Sequence, residues 1–227
     1  MVSSYSLEYL SLHELVQAQP HELFKHSYRV AQLAGDLAQA VERPRGEQER
    51  IELGSLLHDI GKQFIPAHIL EKRDQLSTRE YHRVQQHAWL GYAYLNSFVS
   101  DAVLLNTVLY HHERWDGCGY PYGLKAEQIP LGARICSLAD VWDALTTDRC
   151  YRPAWGLPKA SEYIWSCAGS FFDPSLAHQF LNMIETQGTS NGSTGVKQVA
   201  TLPLSGPNES TLERLPLTRA QGGEAVS

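Results

Sequence analysis

Several ionisable side chains of this sequence lie among apolar neighbours, where helical segments would turn them inward. The pair His58-Asp59 directly follows two leucines, and Asp140 lies within the apolar stretch Leu-Ala-Asp-Val. Burying an imidazole or a carboxylate without a partner costs free energy, so the pattern predicts a compensating charge. Mixed nitrogen and oxygen ligands without thiolates favour Fe, Mn, Co, Ni or Zn over Ca or Mg alone. The residues therefore predict a transition-metal site.

Further candidate ligands follow from helical spacing. Glu22 and His26 are four residues apart, which places them one above the other on a helix face. Adjacent side chains on a helix diverge by roughly 100°, so His58 is predicted to hold one ion while Asp59 bridges to a second. Glu22 has an alternative role as a first-turn acid that favours the helix dipole. Five imidazoles and three carboxylates form the candidate set for two or three ions: Glu22, His26, His58, Asp59, His87, His111, His112 and Asp140.

The predicted chemistry of such a set is phosphoester hydrolysis. Two ions placed ~3.5–4 Å apart can clamp the attacking and leaving oxygens of a phosphoryl centre. Cationic side chains for an anionic substrate lie nearby in the sequence. Lys62 follows the His-Asp pair, and Arg149 and Arg152 follow the segment that carries Asp140. An arginine fork matches phosphate in two contacts, whereas lysine supplies a point charge.

The segments that carry these residues are predicted to be helical almost throughout. Apolar periodicity, capping residues and Gly or Pro breaks predict helices over 21–41, 47–59, 77–97, 100–112, 131–145, 158–167 and 174–186, with a structured loop over 115–129. Gly61 is predicted to close the second helix in a left-handed turn. The predicted fold is therefore all-α, with one compact domain over 21–186 after a helical extension over 1–20. The composition after 186 predicts a disordered, low-complexity tail over 187–227.

Composition narrows the classes of function. The chain has 227 residues, 43% of them hydrophobic, with a formal net charge of −6. No apolar run approaches the ~18 residues of a membrane span, and no basic segment precedes an apolar one at the amino terminus, which predicts a cytoplasmic protein without membrane contact. The negative balance argues against a long nucleic acid as partner. The spacing of the four cysteines predicts reduced thiols.

Three sequence runs resemble the HD-GYP subgroup of the HD phosphohydrolase superfamily. They are HDIGK over 58–62, HHERWDGCGYP over 111–121, and ADVWDAL over 139–145 followed by Arg149 and Tyr151-Arg152. The second run is the most specific. All three occur in the family's order, and the similarity extends from about residue 20 to about residue 184.

The resemblance implies an all-α, metal-dependent phosphodiesterase that opens cyclic di-GMP to linear pGpG, and in some members continues to GMP. It implies the same metal ligands as the spacing does, with Glu22 matching members that carry a third ion. Lys62 matches a lysine near the scissile phosphate, so Asp59 and Lys62 are the expected catalytic residues. Arg149 and Arg152 match phosphate-side arginines, and the presence of Tyr120 favours catalysis. The expected substrate-binding residues are Lys62, Tyr120, Arg149 and Arg152. Iron or manganese is the expected metal, with Zn, Co and Ni as alternatives.

Two other functions remain open at this point. One is an HD phosphohydrolase that acts on another nucleotide phosphoester, which would not require the Gly-Tyr-Pro loop. The other is a non-catalytic receptor that binds a cyclic dinucleotide and signals to a protein partner. The sequence does not separate cyclic di-GMP from the mixed GMP-AMP cycle, and it predicts no oligomeric state. Glu113 and Asp116 are expected to fix the loop by hydrogen bonds, and Asp143 to orient a ligand or close its helix.

Overall fold

Helices account for nearly all of the regular structure. The computed structural model describes Leu15 and residues 21–72, 74–148 and 153–190. These residues form eight α-helices, namely α1 (His21–Ala40), α2 (Arg45–Leu56), α3 (Ala67–Leu70), α4 (Thr78–Leu95), α5 (Ala102–Tyr110), α6 (Leu131–Thr146), α7 (Leu157–Ser166) and α8 (Pro174–Ser190), with 3-10 turns at Ile60–Phe64 and Ala126–Gln128. The described residues contain no β-strand, only an isolated bridge between Ala168 and Phe172. The predicted all-α class is confirmed.

Side-chain caps define where several helices begin. Ser77 accepts a hydrogen bond from the backbone N–H of Glu80, and the Glu80 carboxylate accepts one from the Ser77 N–H, which completes a capping box before α4. Asp101 caps α5 by accepting from the Leu104 N–H. Such caps satisfy backbone donors that have no partner within the helix. The predicted starts of α4 and α5 are therefore confirmed within a residue or two.

Apolar stripes hold the helices together. On α1, Val30, Ala34 and Leu37 recur at helical spacing and are fully buried. On α6, twelve of the sixteen residues are buried, and this helix contacts α1, α2, α5, α7 and α8. A helix that is apolar nearly all round is a core helix. Asp140 lies on α6, so its position is fixed by the packing of the core.

Close backbone approach explains Gly61. Helix α4 packs against the 3-10 turn Ile60–Phe64, and a Cβ atom at Gly61 would lie 1.9 Å from the carbonyl oxygen of His87. The prediction that Gly61 adopts a left-handed conformation is wrong. Among the described residues, the glycines with positive φ are Gly117, Gly123 and Gly169. Gly61 is needed because the two backbones touch, a contact between distant segments that local sequence does not reveal.

Two helix boundaries differ from the predictions by more than two residues. Helix α2 ends at Leu56 rather than at residue 59, so the His58-Asp59 pair lies in the turn that follows it. Helix α8 continues to Ser190, four residues beyond its predicted end and into the segment expected to be disordered. Residues 1–14, 16–20 and 191–227 lie outside the described residues, so the amino-terminal extension and the rest of the tail stay predictions. None of the helices described here has the length and apolar character needed to cross a membrane.

Candidate metal centre

Residues that are far apart in the sequence meet at one place between the helices. The structure brings together seven of the eight candidate ligands: His26 of α1, His58 and Asp59 after α2, His87 of α4, His111 and His112 at the end of α5, and Asp140 of α6. They form three overlapping groups, within each of which the possible ligand atoms lie within 4.8 Å of one another. The groups are His26, His58 and Asp140; His58, Asp59 and His111; and His87, His111 and His112.

Backbone carbonyls orient three of the imidazole rings. The Nδ1 atoms of His58, His87 and His111 lie 2.7, 2.6 and 2.8 Å from the carbonyl oxygen three positions earlier in the chain. Because a carbonyl oxygen only accepts, each Nδ1 must carry a hydrogen. In a neutral ring the lone pair then lies on Nε2. The helical backbone thus selects the tautomer in which Nε2 is available as a ligand.

The Nε2 atoms of these rings converge without a hydrogen between them. Those of His87 and His111 lie 3.3 Å apart, and the buried Nε2 of His58 has no hydrogen-bond partner. Burial lowers the pKa of His87 to about 4 and that of His111 to about 3, so both rings are neutral at pH 7. Lone pairs that face each other repel, and an unpartnered buried nitrogen costs free energy. A cation bound between these rings would remove both penalties.

Asp59 lies between the rings. Its Oδ1 is 3.4 Å from Nε2 of His87, and its Oδ2 is 3.3 Å from Nε2 of His58. Burial alone would raise the pKa of Asp59, but the Lys62 ammonium, 2.5 Å from Oδ2, holds it well below its usual value. Asp59 is therefore ionised and directs one oxygen toward each side of the cluster.

Two carboxylates of α6 flank the ring of His26. Asp140 Oδ1 is 3.2 Å from Nε2, and Asp143 Oδ2 is 2.7 Å from Nδ1. Burial alone would lower the pKa of His26, but the hydrogen bonds to Asp140 and Asp143 raise it to about 9. Both carboxylates therefore favour a positive charge at this position.

The donor set fits divalent transition metals. The three groups contain only imidazole nitrogens and carboxylate oxygens, and the unpaired thiols of Cys118, Cys136 and Cys167 belong to none of them. Such ligands suit Fe, Mn, Co, Ni and Zn. The set also divides into two ends, one around His26 and the other around His112, with Asp59 between them. The orphaned nitrogens and the divided donor set together match a centre for more than one ion.

The helical architecture and the His-Asp cluster agree with one known family. The family model described as HD domain matches residues 11–176, which is most of the chain. The chain belongs to the HD domain family. The family resemblance predicted from the sequence runs is confirmed at this level, and the cluster described above lies within the matched residues.

Relatives of this HD domain include named phosphodiesterases. The cyclic di-GMP phosphodiesterase response regulator RpfG of Xanthomonas campestris pv. campestris (strain 8004) is 40% identical over 150 residues, which are 64% of this chain and 39% of the relative. The 3'3'-cGAMP-specific phosphodiesterase 2 of Vibrio cholerae serotype O1 is 35% identical over 173 residues, which are 75% of this chain and 33% of the relative. The chain thus spans less than half the length of these curated relatives.

A solved structure shows the same fold. The HD domain of the phosphodiesterase PgpH from L. monocytogenes, in complex with cyclic-di-AMP, superposes with a TM-score of 0.59 at 14% identity. The superposition covers 83% of this chain and 100% of that chain. At this identity the likeness is evidence for the HD-type helical fold alone.

The structure does not bring Glu22 to the cluster of this HD domain. Its side chain is 86% exposed and lies 3.3 Å from Lys25 Nζ and 3.5 Å from His21 Nδ1. Although Glu22 and His26 share a helix, a carboxylate directed to solvent is not placed as a ligand. The alternative interpretation, a first-turn acid of α1, matches its position.

The predicted substrate residues have different outcomes. Lys62 lies at the edge of the cluster, partly exposed and paired with Asp59. Tyr120 stacks on the ring of His112 with 4.7 Å between ring centroids, and burial raises its pKa well above the usual value, so it remains a hydroxyl donor. Arg149 and Arg152 lie outside the described residues. Their roles stay predictions.

The loop that follows α5 is held by carboxylates, as predicted. Glu113 is buried and accepts hydrogen bonds from the backbone N–H groups of Tyr122 at 2.7 Å and Leu124 at 3.0 Å. Asp116 accepts one from the Cys118 N–H at 2.9 Å. These bonds fix the loop that carries Tyr120 against His112.

One arginine near the cluster is absent from the sequence-based predictions. Arg29 donates hydrogen bonds to both oxygens of Asp143, at 2.5 Å to Oδ1 and 3.0 Å to Oδ2. Asp143 is predicted to orient a ligand, and its contact with His26 agrees with that role. A signal for Arg29 does exist, because it lies one helical turn after His26, as Asp143 lies one turn after Asp140. Only the structure shows that the two turns face each other.

Proposed function

We propose that this chain is a metal-dependent phosphodiesterase that hydrolyses a cyclic dinucleotide. The observation that carries the proposal is the convergence of imidazole Nε2 atoms that have no hydrogen-bond donor around the ionised carboxylate of Asp59. Membership of the HD domain family supports metal-dependent phosphoester chemistry. The names of the relatives support cyclic di-GMP as the first substrate to test and 3'3'-cGAMP as the second.

The metal ligands that we propose form two groups. One is His26, His58 and Asp140, the other is His87, His111 and His112, and Asp59 is shared between them. Divalent ions, with Fe and Mn as the first choice, supply Lewis-acid stabilisation of phosphoryl oxygens and make water a better nucleophile at neutral pH. The exposed position of Glu22 favours two ions over three.

The chain's own residues would then bind and orient the phosphodiester. Lys62 places an ammonium group beside Asp59, where it can attract a phosphate oxygen and offset negative charge that grows in the transition state. The neutral hydroxyl of Tyr120, held against His112, can donate a hydrogen bond. Arg149 and Arg152 are the candidate phosphate forks. These cations would let an acidic chain, with a net charge of −6, bind an anionic ligand.

The test is product analysis with anaerobically purified protein loaded with Fe(II) or Mn(II). We expect cyclic di-GMP, 3'3'-cGAMP or both to be converted to the linear dinucleotide, resolved by chromatography from GMP. Turnover only of nucleotide monoesters would indicate a different HD phosphohydrolase. Tight binding of an intact cyclic dinucleotide after long incubation would indicate a receptor, and either result would contradict the proposed reaction.

Variants of two aspartates make the assay specific to the cluster. Asp59→Asn keeps the size of the side chain but removes the charge and one of the two oxygens that face the two groups. Because loss of a residue that only supports a metal ligand costs ~10–100-fold, loss of a shared ligand should cost at least ~100-fold in rate. The control Asp74→Asn changes an exposed carboxylate outside the three groups and should keep the wild-type rate. A near-normal rate for Asp59→Asn would contradict the shared-ligand role.

A further inference from the structure

The ring of His26 is held differently from the other oriented rings of the cluster. His58, His87 and His111 each donate from Nδ1 to a carbonyl three positions earlier, within their own segment. His26 instead contacts Asp143, a side chain 117 positions away on another helix. Its orientation depends on the packing of α1 against α6 and on the carboxylate of Asp143 staying in place.

Asp143 has no hydrogen-bonding capacity to spare. It is 3% exposed. Its two oxygens accept hydrogen bonds from His26 Nδ1, from two nitrogens of Arg29 and, at 3.2 Å, from the hydroxyl of Thr147. It belongs to none of the three groups of possible metal ligands. Its contacts therefore act on His26 from outside the cluster.

Arg29 fixes the position of that carboxylate. The guanidinium contacts both oxygens, an arrangement that sets the plane of a carboxylate as well as its distance. Arg29 is one turn from His26 on α1, and Asp143 is one turn from Asp140 on α6. The pair thus joins the two helices that supply His26 and Asp140, both of which belong to the same end of the cluster.

The contacts of Arg29 and Asp143 support only the end of the cluster that contains His26. Arg29, Asp143 and Thr147 line a cavity of about 700 Å³ that also includes Arg45 and Glu49, and none of the seven residues of the cluster lines it. At the other end, backbone carbonyls hold the Nδ1 atoms of His87 and His111. Loss of Arg29 should therefore weaken metal binding only at the end of the cluster that contains His26.

We propose that Arg29 is a positioning residue, which acts through Asp143 to set the ring of His26 and thereby governs metal binding at the group formed by His26, His58 and Asp140. This inference rests on the proposed metal-dependent function. It assigns unequal support to the rings: His87 and His111 are oriented by backbone carbonyls, whereas His26 depends on a carboxylate that an interhelical ion pair holds in place.

The test measures metal binding rather than turnover. Ions per chain are counted by elemental analysis after equilibration with buffered Co(II), and the visible absorption of Co(II) reports the ligand environment. For Arg29→Met we expect one ion to bind as in the wild type and the other to bind ~10–100-fold more weakly, the usual cost of losing support for a metal ligand. Arg29→Lys, which keeps the charge without the fork, should restore part of the affinity and part of the spectrum.

A second arginine of the same cavity is the matched control. Arg45 is 88% exposed and pairs with Glu49 at 3.0 Å, so Arg45→Met removes a cation of the same cavity without touching Asp143. The Arg45→Met variant should bind Co(II) as the wild type does. Equal weakening in Arg45→Met and Arg29→Met would contradict a specific role for Arg29.

The remaining outcomes separate this inference from the proposed function. A wild-type chain that binds no Co(II) contradicts both. A wild-type chain that binds two ions, together with an Arg29→Met variant that binds both equally well or weakens both equally, contradicts the positioning role alone. If Arg29→Met does not fold, Asp143→Asn takes its place, since it keeps an oxygen for His26 and loses the fork. The same loss at one ion supports the inference, and wild-type binding overturns it.

Discussion

At the scale of single residues, the backbone decides which imidazole nitrogen is available. Nδ1 of His87 is occupied by the carbonyl of Val84 at 2.6 Å, so only Nε2 can face the cluster. Burial keeps the ring neutral by lowering its pKa to about 4. A side chain that is neutral, buried and directed at other lone pairs has little value to stability unless it binds a cation. The geometry of His87 therefore supports the proposal that it is a metal ligand.

His87→Ala tests this assignment on a helix that carries its own control. We expect the variant to lose at least ~100-fold in phosphodiesterase rate, because a direct ligand should matter more than a residue that supports one. His82 lies on the same helix α4 and is exposed, so His82→Ala should retain the wild-type rate. Steady-state rates at saturating Mn(II) check both variants. Similar rates for the two variants would show that His87 is not a ligand.

At the scale of elements, the contact between the 3-10 turn and α4 holds two parts of the site together. The turn follows Asp59 and includes Lys62, and α4 carries His87. The two backbones meet at Gly61, where the nitrogen of Gly91 would lie 2.6 Å from an added Cβ and the His87 carbonyl closer still. Backbone atoms cannot move aside as a flexible side chain can. The distance between Asp59 and His87 thus depends on a glycine.

Gly61→Ala should destabilise the fold and separate those two residues. Overpacking a close contact costs about 1–3 kcal/mol, and this contact is with backbone, so we expect a loss of at least ~2 kcal/mol in the free energy of unfolding. The control is Gly46→Ala in the first turn of α2, where the nearest atom to an added Cβ is Arg50 Nη1 at 3.9 Å. Urea unfolding of the metal-free proteins measures both. A Gly61→Ala variant as stable as Gly46→Ala would contradict the close approach.

Several of the candidate ligands could be predicted from sequence because they carry a local mark. Asp140 interrupts an apolar helix, and His58-Asp59 follows two leucines, so burial of a charge is visible without coordinates. The reason for Gly61 and the role of Arg29 could not be predicted, because both depend on contacts between distant segments. For Glu22, the sequence predicted a ligand that the structure does not bring to the cluster. Its spacing from His26 is right for a shared face, but its place in the first turn leaves it exposed.

At the scale of the whole molecule, the cluster connects helices that are otherwise joined by apolar packing and by a few ion pairs, such as Arg29 with Asp143 and Arg50 with Asp101. Its candidate ligands come from α1, α4, α6, the end of α5 and the turn after α2. Without a cation, these buried groups oppose folding through lone-pair repulsion at Nε2 atoms 3.3 Å apart and through the unpartnered Nε2 of His58. A ligand that binds only the folded state stabilises it in proportion to the logarithm of its concentration over Kd. Metal binding and folding of this chain should therefore be coupled.

Thermal unfolding with and without metal measures this coupling. At about 100 times Kd, one bound ion contributes about 2.7 kcal/mol, which for a domain of this size corresponds to roughly 5–10 °C in Tm. We expect Mn(II) to raise the Tm of the chelator-treated chain by at least that amount, and His87→Ala to lose a large part of the rise. His82→Ala should keep it, since that ring is exposed on the same helix. Elemental analysis first shows that the chain contains metal, and the metal is then removed. If the Tm does not change, the buried imidazole and carboxylate groups are satisfied without a cation. The convergence of the Nε2 atoms would then need another explanation.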